Sequence, residues 1–151
     1  MIRVNENLTG QSSLVLSGKD LANRFGAVYL NDLGLIDGKT YTISANLSLS
    51  EGEEATIIVF NSDYTVNHKS TRLSTKKRSS LTFVYSNEST SKIACYAGIS
   101  GRTNGISAEY TNIKLEKGEQ MTPYLPHKSK VKADNQPLLP PEGNYKEIQA
   151  L

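Results

Sequence analysis

Apolar and polar side chains alternate with a period of two residues along much of the chain. The clearest run covers residues 40–49, where Tyr, Ile, Ala and Leu alternate with Thr, Ser and Asn. A period of two places alternate side chains on opposite faces of a strand, so this run predicts a strand with one buried face. Turn residues at 37–39 and 50–53 flank the run, and an apolar β-branched run follows at 55–60. We interpret residues 40–60 as a hairpin.

The same pattern recurs elsewhere. Residues 81–85 and 93–99 alternate on either side of a turn at 87–90, which predicts a second hairpin. Residues 13–17 and 27–30 are also predicted strands, with one helical turn at 21–24 between them. Short strands at close spacing predict an antiparallel sandwich, and the long connection at 61–79 suits a Greek-key crossing.

The last predicted strand, residues 106–118, changes phase part-way. Its apolar side chains first occupy even positions and then odd ones: Ile106, Ala108, Tyr110, Ile113 and Leu115. A regular strand cannot place both sets on one face, so either a bulge lies near Thr111–Asn112 or the faces are mixed. Pro123 and Pro126 then end the regular structure, because proline cannot donate to a central ladder.

Three stretches resemble the carbohydrate-binding-module-like jelly-roll domains of tail and baseplate proteins from phages of Gram-positive bacteria. The stretch 106–126, with Asn-Ile-Lys-Leu-Glu-Lys-Gly and then Thr-Pro-Tyr, resembles their final strand and exit segment. Residues 38–45 resemble their Gly-x-Thr-Tyr-Thr-x-Ser-Ala strand, and residues 80–85 resemble a later Thr-Phe strand. The resemblance covers about residues 5–126 and implies an all-β fold, an antiparallel jelly-roll β-sandwich with an extended C-terminal tail.

The 151 residues suit one domain with its own core. We expect a jelly-roll domain at 1–126 and a Pro-containing C-terminal tail at 127–151, a candidate for oligomer or partner contacts. Tyr145, Ile148 and Leu151 could form a short apolar helical face, and a frayed terminus is the alternative.

Charge excludes several classes of partner. Seventeen basic and fifteen acidic residues give a formal net charge of +2, which does not favour nucleic acid or an acidic membrane. The first residues carry no pattern of a secretion signal, and no apolar run is long enough for a membrane span.

The basic cluster Lys76–Arg78, with Arg72 upstream, either contacts phosphate-bearing polymers or is a solvated loop. The single cysteine, Cys95, is expected to be buried and inert.

The chain lacks the patterns of catalytic sites. Most acidic residues fall at predicted turns; Glu109 lies within a predicted strand, and it has no evident partner for a glycosidase pair. Residues 98–102 do not match Gly-x-Ser-x-Gly, and His68 and His127 lack metal-ligand spacing. We therefore predict a protein that is not an enzyme and needs no cofactor.

Calcium needs separate consideration, because the resemblance implies a structural calcium ion held by oxygen ligands in many related modules. A carboxylate pair often stands at the bulge of the last strand in those modules. The corresponding positions here are Thr111 and Asn112. We therefore predict no metal site.

A sugar site is the alternative to a purely structural surface. Outward-facing side chains on the predicted strands would combine an exposed aromatic ring with hydroxyl and amide groups, as sugar recognition requires. The following turn could supply further donors at the rim. The candidate ligand-binding residues are Tyr96, Asn46, Ser44, Thr82, Arg102 and Asn104. The bland alternative is that Tyr96 merely covers an outer sheet face.

The resemblance implies a non-catalytic component of a phage tail or baseplate, made in the bacterial cytoplasm and located in the virion. Its expected partners are a host cell-wall or surface saccharide and other phage tail proteins. Two alternatives remain: a purely structural decoration or assembly module, and a binding module associated with a polysaccharide-degrading enzyme. By analogy with tail proteins, we expect a homo-oligomer, a trimer.

Overall fold

The computed structural model describes residues 3–61, 65 and 67–130 as a β-sandwich. Eight antiparallel strands form two four-stranded sheets within this range, and one short 3-10 helix follows them. The predicted jelly-roll sandwich is therefore confirmed. The predicted tail lies outside the described residues from position 131 onward. The elements are β1 Leu14–Ser17, β2 Phe25–Tyr29, β3 Thr40–Leu49, β4 Glu54–Phe60, β5 Asn67–Ser74, β6 Ser79–Val84, β7 Lys92–Tyr96, β8 Ser107–Lys117 and the 3-10 helix Lys128–Lys130.

The first sheet has the order β1-β8-β3-β6 and the second the order β2-β7-β4-β5. The edge strands β1 and β2 contact each other along one side of the sandwich, and β5 and β6 do so along the other. The inner faces supply the core, in which Tyr110, Ile93, Val59 and Leu115 are fully buried.

Both predicted hairpins were wrong. β3 and β6 belong to the first sheet, whereas the strands that follow them, β4 and β7, belong to the second. Each connection therefore crosses from one sheet to the other. A turn between two half-buried strands is compatible with either arrangement, because both bury one face of each strand.

The hairpin that the structure does contain joins β4 to β5. Strand β5, Asn67–Ser74, lies within the stretch predicted as a long connection. It is polar, with four of its eight positions exposed and a single buried position at Leu73, so the apolar pattern did not reveal it. The helical turn predicted at 21–24 was also wrong: the segment is a non-helical turn that Thr103 holds through the carbonyl groups of Leu21 and Ala22.

The phase change in β8 is a bulge, as one of the two predicted arrangements required. Ser44 of β3 lies opposite Lys114 and Asn46 lies opposite Thr111, so two residues of β8 face the single residue between them. Asn112 has a φ of 50°, in the left-handed region that Asn tolerates better than most residues. The bulge lets both Tyr110 and Ile113 point into the core.

A buried side chain from the N-terminal segment, Asn7, stabilises the backbone beyond the bulge. Its Nδ2 donates to the carbonyl oxygen of Ile113 at 3.1 Å, and its Oδ1 accepts from the amide of Leu115 at 3.0 Å. The amide of Leu8 also donates to the carbonyl of Leu115 at 2.7 Å. Since Asn7 is only 1% exposed, water cannot replace these contacts without rearrangement.

We expect Asn7→Ala to lower the free energy of unfolding by about 2–4 kcal/mol, because it leaves buried donors and acceptors of β8 without partners. Urea titration followed by circular dichroism measures the change. Asn104→Ala is the matched control, since Asn104 is exposed in a turn, and it should change stability by less than about 0.5 kcal/mol. Equal effects of the two substitutions would contradict the role of Asn7.

Cys95 is buried in the core, as predicted, and burial raises the pKa of its thiol to about 12. At pH 8 the folded protein should therefore hold this thiol protonated and out of reach of disulfide reagents. We expect native Cys95 to label only as fast as the protein unfolds, and rapidly in denaturant. A Ser70→Cys variant, exposed on β5, should label at once under native conditions. Rapid native labelling of Cys95 would disprove its enclosure.

Candidate functional site

Aromatic side chains form two rows on the outer face of the second sheet. The register of the strands sets the rows: Phe25 lies opposite Tyr96, and Tyr29 lies opposite Lys92, which in turn lies opposite Phe60. Between the rows lie only small and aliphatic side chains. We call this surface the aromatic face; it comprises Phe25, Ala27, Tyr29, Ile58, Phe60, Lys92, Ala94 and Tyr96.

The first row is closely packed. The rings of Phe25 and Tyr96 lie 5.2 Å apart between centroids, at an interplanar angle of 43°. Tyr96 is only 5% exposed, whereas Phe25 is half-buried. Behind this row, the hydroxyl of Tyr110 crosses the core and donates to the carbonyl oxygen of Tyr96 at 2.7 Å. Burial raises the pKa of Tyr110, so this hydroxyl keeps its proton and fixes β7 to β8.

In the second row Tyr29 is largely exposed, whereas Lys92, which carries the charge, is only 4% exposed. The Tyr29 ring is 62% exposed, and the ammonium nitrogen of Lys92 lies 5.9 Å from its centroid. Phe60 lies on the opposite side of Lys92 and is half-buried. An ammonium group at this distance is attracted by the face of the ring.

The middle row is the floor of the face. Ala94 is fully buried and Ile58 is 8% exposed, and neither side chain is as tall as the flanking rings. The largely exposed Tyr29 offers an apolar ring face for the C–H groups of a sugar and a hydroxyl for its oxygen atoms, whereas Tyr96 and Lys92 are buried.

The structure separates the sequence-predicted site residues. Tyr96 lies on the outer face of the second sheet, but Ser44, Asn46 and Thr82 lie on the first sheet. The expected platform of an exposed Tyr96 beside Asn46 is therefore corrected: the two are on different sheets, and Tyr96 is buried. Alternation along each strand predicted outward-facing positions, but it could not tell which sheet each strand joins.

Ser44 and Asn46 contact a cation from the predicted basic cluster. Arg78 donates to Ser44 Oγ at 3.0 Å and to Asn46 Oδ1 at 3.4 Å, and its guanidinium lies 5.6 Å from the centroid of the Tyr124 ring. Desolvation lowers the pKa of Arg78, and Glu116 and Tyr124 partly oppose that shift. The members of the predicted basic cluster therefore have different surroundings: Arg78 packs on the first sheet, whereas Lys76 is exposed to solvent and pairs with Glu53 at 3.2 Å.

Residues 119–126, which we call the exit segment, cross the outer face of the first sheet, the face that carries Ser44 and Asn46. Thr82 exchanges a hydrogen bond with Thr42 at 2.8 Å and donates to the carbonyl of Glu119 at 3.2 Å. Three of the predicted ligand-binding residues therefore contact other parts of this chain: Ser44 and Asn46 contact Arg78, and Thr82 contacts the exit segment.

Two fully buried charges hold the exit segment. Lys114 Nζ donates to Thr122 Oγ1 at 2.8 Å and to the carbonyl of Pro123 at 2.7 Å, and it lies 3.7 Å from Glu116 Oε1. Both oxygens of Glu116 accept from the amide of Thr122 at 3.1 Å. Asn5, near the start of the chain, donates to Glu116 Oε1 at 3.2 Å. Burial lowers the pKa of Lys114, an effect that Glu116 counteracts.

Arg102 and Asn104 are exposed in the turn that leads into β8. Arg102 lines an open depression at one end of the sandwich, together with three glutamates and Arg72. Arg72 pairs there with Glu54 at 3.7 Å, in solvent. Neither Arg102 nor Asn104 belongs to the aromatic face, so the predicted rim does not surround Tyr96.

Of the aromatic face, only Tyr96 was predicted from the sequence as a candidate; the other three aromatic members are Phe25, Tyr29 and Phe60. Phe25 and Tyr29 each lie two residues from Ala27 in β2, so all three share one face. The predicted strand 27–30 began too late to include Phe25. Phe60 shares its phase with Ile58 in β4. The outward-facing positions of these two strands alternate with the inward-facing ones, and that alternation is the signal for these aromatic residues.

Among residues 3–61, 65 and 67–130, no group of three or more His, Cys, Asp or Glu side chains is placed to hold a metal ion. The same part of the chain contains no helix long and apolar enough to span a membrane.

Comparison with known proteins gives structural similarity only. No protein-family model matches the chain, and no curated protein matches it. Among solved structures, the tripod from the baseplate of bacteriophage Tuc2009 is 13% identical, with a TM-score of 0.48. That match covers 87% of this chain but 62% of the tripod chain, so this chain spans less than two thirds of it.

Carbohydrate-binding modules are also similar. A CBM4 structure is 16% identical over 70% of this chain and 71% of that one, with a TM-score of 0.48. The CBM22-1 xylan-binding domain from Paenibacillus barcinonensis is 14% identical over 75% and 76%, with a TM-score of 0.44. The structural neighbours thus include a phage baseplate protein and several carbohydrate-binding modules.

We expect Lys114→Met to destabilise the domain by about 3–5 kcal/mol, because it leaves Glu116 as a buried charge without its cation. The double variant Lys114→Met, Glu116→Leu should cost less than the sum of the two single changes. Urea titrations of all three variants measure this coupling. Lys117→Met is the control, since Lys117 is exposed at the end of the same strand. Additive effects would show that the two charges are independent.

Proposed function

We propose that this protein is a non-catalytic saccharide-binding component of a phage tail or baseplate, and that its aromatic face binds a saccharide of the host surface. The observation that carries the proposal is the second row of that face. The exposed Tyr29 side chain combines a stacking surface with a hydroxyl group, the buried Lys92 places its ammonium nitrogen 5.9 Å from the centroid of that ring, and a half-buried Phe60 lies across from Lys92. Sugar recognition needs both a stacking surface and polar groups.

The place in a phage tail is inferred from the resemblance of residues 38–45, 80–85 and 106–126 to tail and baseplate modules. In that setting the protein would act in adhesion, together with other tail proteins. The ligand-binding role predicted for Ser44, Asn46 and Thr82 remains a prediction for a second surface, as does that of Arg102 and Asn104.

One alternative is favoured by a specific observation. Ser44 and Asn46 already bond to Arg78, and the exit segment contacts Thr82. Because these polar side chains already have hydrogen-bond partners within the chain, they support a structural role for the first sheet. The alternative is therefore a purely structural tail module that binds no saccharide on either sheet.

A glycan array that includes host cell-wall polysaccharides tests the proposal, followed by titration of any saccharide that binds. We expect Tyr29→Ala to weaken binding about 3- to 10-fold, from the loss of one stacking ring. Since Tyr29 is largely exposed, this variant should fold normally.

Val84→Ala is the matched control, because Val84 is an exposed side chain at the end of β6 in the first sheet. It should leave binding unchanged. Absence of binding to every saccharide, while the protein still assembles with tail proteins, would favour the structural alternative. Loss of binding in Val84→Ala alone would place the site on the first sheet.

A further inference from the structure

The edge strand β2 lacks the features that protect sheet edges from pairing with another chain. It ends the second sheet, so among the described residues no strand lies on its other side. Its sequence, Phe-Gly-Ala-Val-Tyr, contains no charge and no proline. The opposite edge, β5, carries His68, Lys69 and Arg72 and meets β4 through an irregular register. Charges and irregularities of that kind commonly block edge-to-edge pairing.

The hydrogen-bonding direction of β2 follows from its register with β7. The amide of Ala97 donates to the carbonyl of Arg24 at 2.9 Å, and the amide of Leu30 donates to the carbonyl of Ser91 at 2.9 Å. Even-numbered residues of β2 therefore direct their backbone groups towards β7, since these directions alternate along a strand. Ala27 and Tyr29 direct their N–H and C=O groups to the outer edge.

We propose that β2 pairs antiparallel with β2 of a second copy of this chain, around a two-fold axis at Ala27. The sequence is self-complementary about that residue: Ala27 would face its own copy, and Phe25 would face Tyr29 of the second copy. Aromatic pairs across neighbouring strands stabilise a sheet, and opposed residues exchange two backbone hydrogen bonds where their groups face each other. The Tyr29 ring, now 62% exposed, would gain a neighbour.

Among the described residues, the nearest strand of the other sheet packs beneath β2 and not against its outer edge. Gly26 lets the edge strand of the other sheet approach closely, because a Cβ at this position would lie 2.8 Å from Leu16 Cδ2 and 3.3 Å from Leu14 Cδ2. Strand β1 therefore lies beneath β2 and not beside it. On the same side of the sandwich, β1 is also uncharged and exposes Val15 to 75%.

Such pairing produces a dimer, not the trimer expected by analogy, because a strand that pairs antiparallel with its own copy generates two-fold symmetry. It joins the two second sheets into one and makes the two aromatic faces continuous. A contact between strands of five residues is small beside the roughly 1,200–2,000 Å² of standard interfaces, so the dimer should be weak and concentration-dependent.

Sedimentation velocity over a wide concentration range tests the pairing with the full chain. We expect the wild type to shift from monomer to dimer as concentration rises. Ala27→Pro removes an N–H that points away from β7, a position where an edge strand tolerates proline, and should weaken association about tenfold or more. Tyr29→Lys adds a charge to the same edge and should act in the same direction.

Val84→Lys is the matched control: it places the same charge on an edge strand on the opposite side of the sandwich and should leave association unchanged. Circular dichroism verifies that each variant is folded. A wild-type monomer at the highest concentration would overturn the proposal, and so would dimers that persist in both Ala27→Pro and Tyr29→Lys. A folded Tyr29→Lys variant keeps the test decisive if Ala27→Pro does not fold.

Discussion

The contact of Asn7 with β8 is the constraint on which the rest of the structure depends. A bulge in the middle of the longest strand changes which side chains face the core, and it interrupts the ladder at that point. One buried amide supplies the donor and the acceptor that the backbone needs just beyond it. An amide side chain can do both, whereas a carboxylate or an ammonium group could do only one.

Two different surfaces follow from that bulge. Before it, Tyr110 points inward and reaches the carbonyl of Tyr96, which places β7 and so the aromatic face. After it, the phase reverses, so that Lys114 and Glu116 point outward and lie beneath the exit segment. A strand without the bulge would direct one of these two sets to the wrong side. The position of the aromatic face and that of the buried pair Lys114 and Glu116 therefore both depend on the bulge in β8.

Much of the fold could be predicted from the sequence because burial of one face leaves a period of two. That period found β3 with its bounds, and the phase change after Tyr110 found the bulge. It could not assign strands to sheets, since the inner faces of both sheets have the same pattern, and both predicted hairpins failed for this reason. It also missed β5, which is polar and has a single buried position.

The site was harder to predict than the fold. Tyr96 does face outward, but the neighbours that define its surroundings come from β2 and β4, far away in sequence. Outward-facing Ser44 and Asn46 were expected to meet solvent, yet Arg78 and the exit segment contact this face. Contacts of this kind depend on chain crossings that residue patterns within a strand do not encode.

The convergence on Glu116 has a mechanical consequence. Asn5 approaches this carboxylate from the start of the domain and Thr122 approaches it from the end, so the chain enters and leaves at nearly the same point. Tension between the two ends is carried first by these short contacts and not by the ladders of the second sheet. A pull on the chain would thus load the last residues of β8, a central strand of the first sheet, before it loads the second sheet.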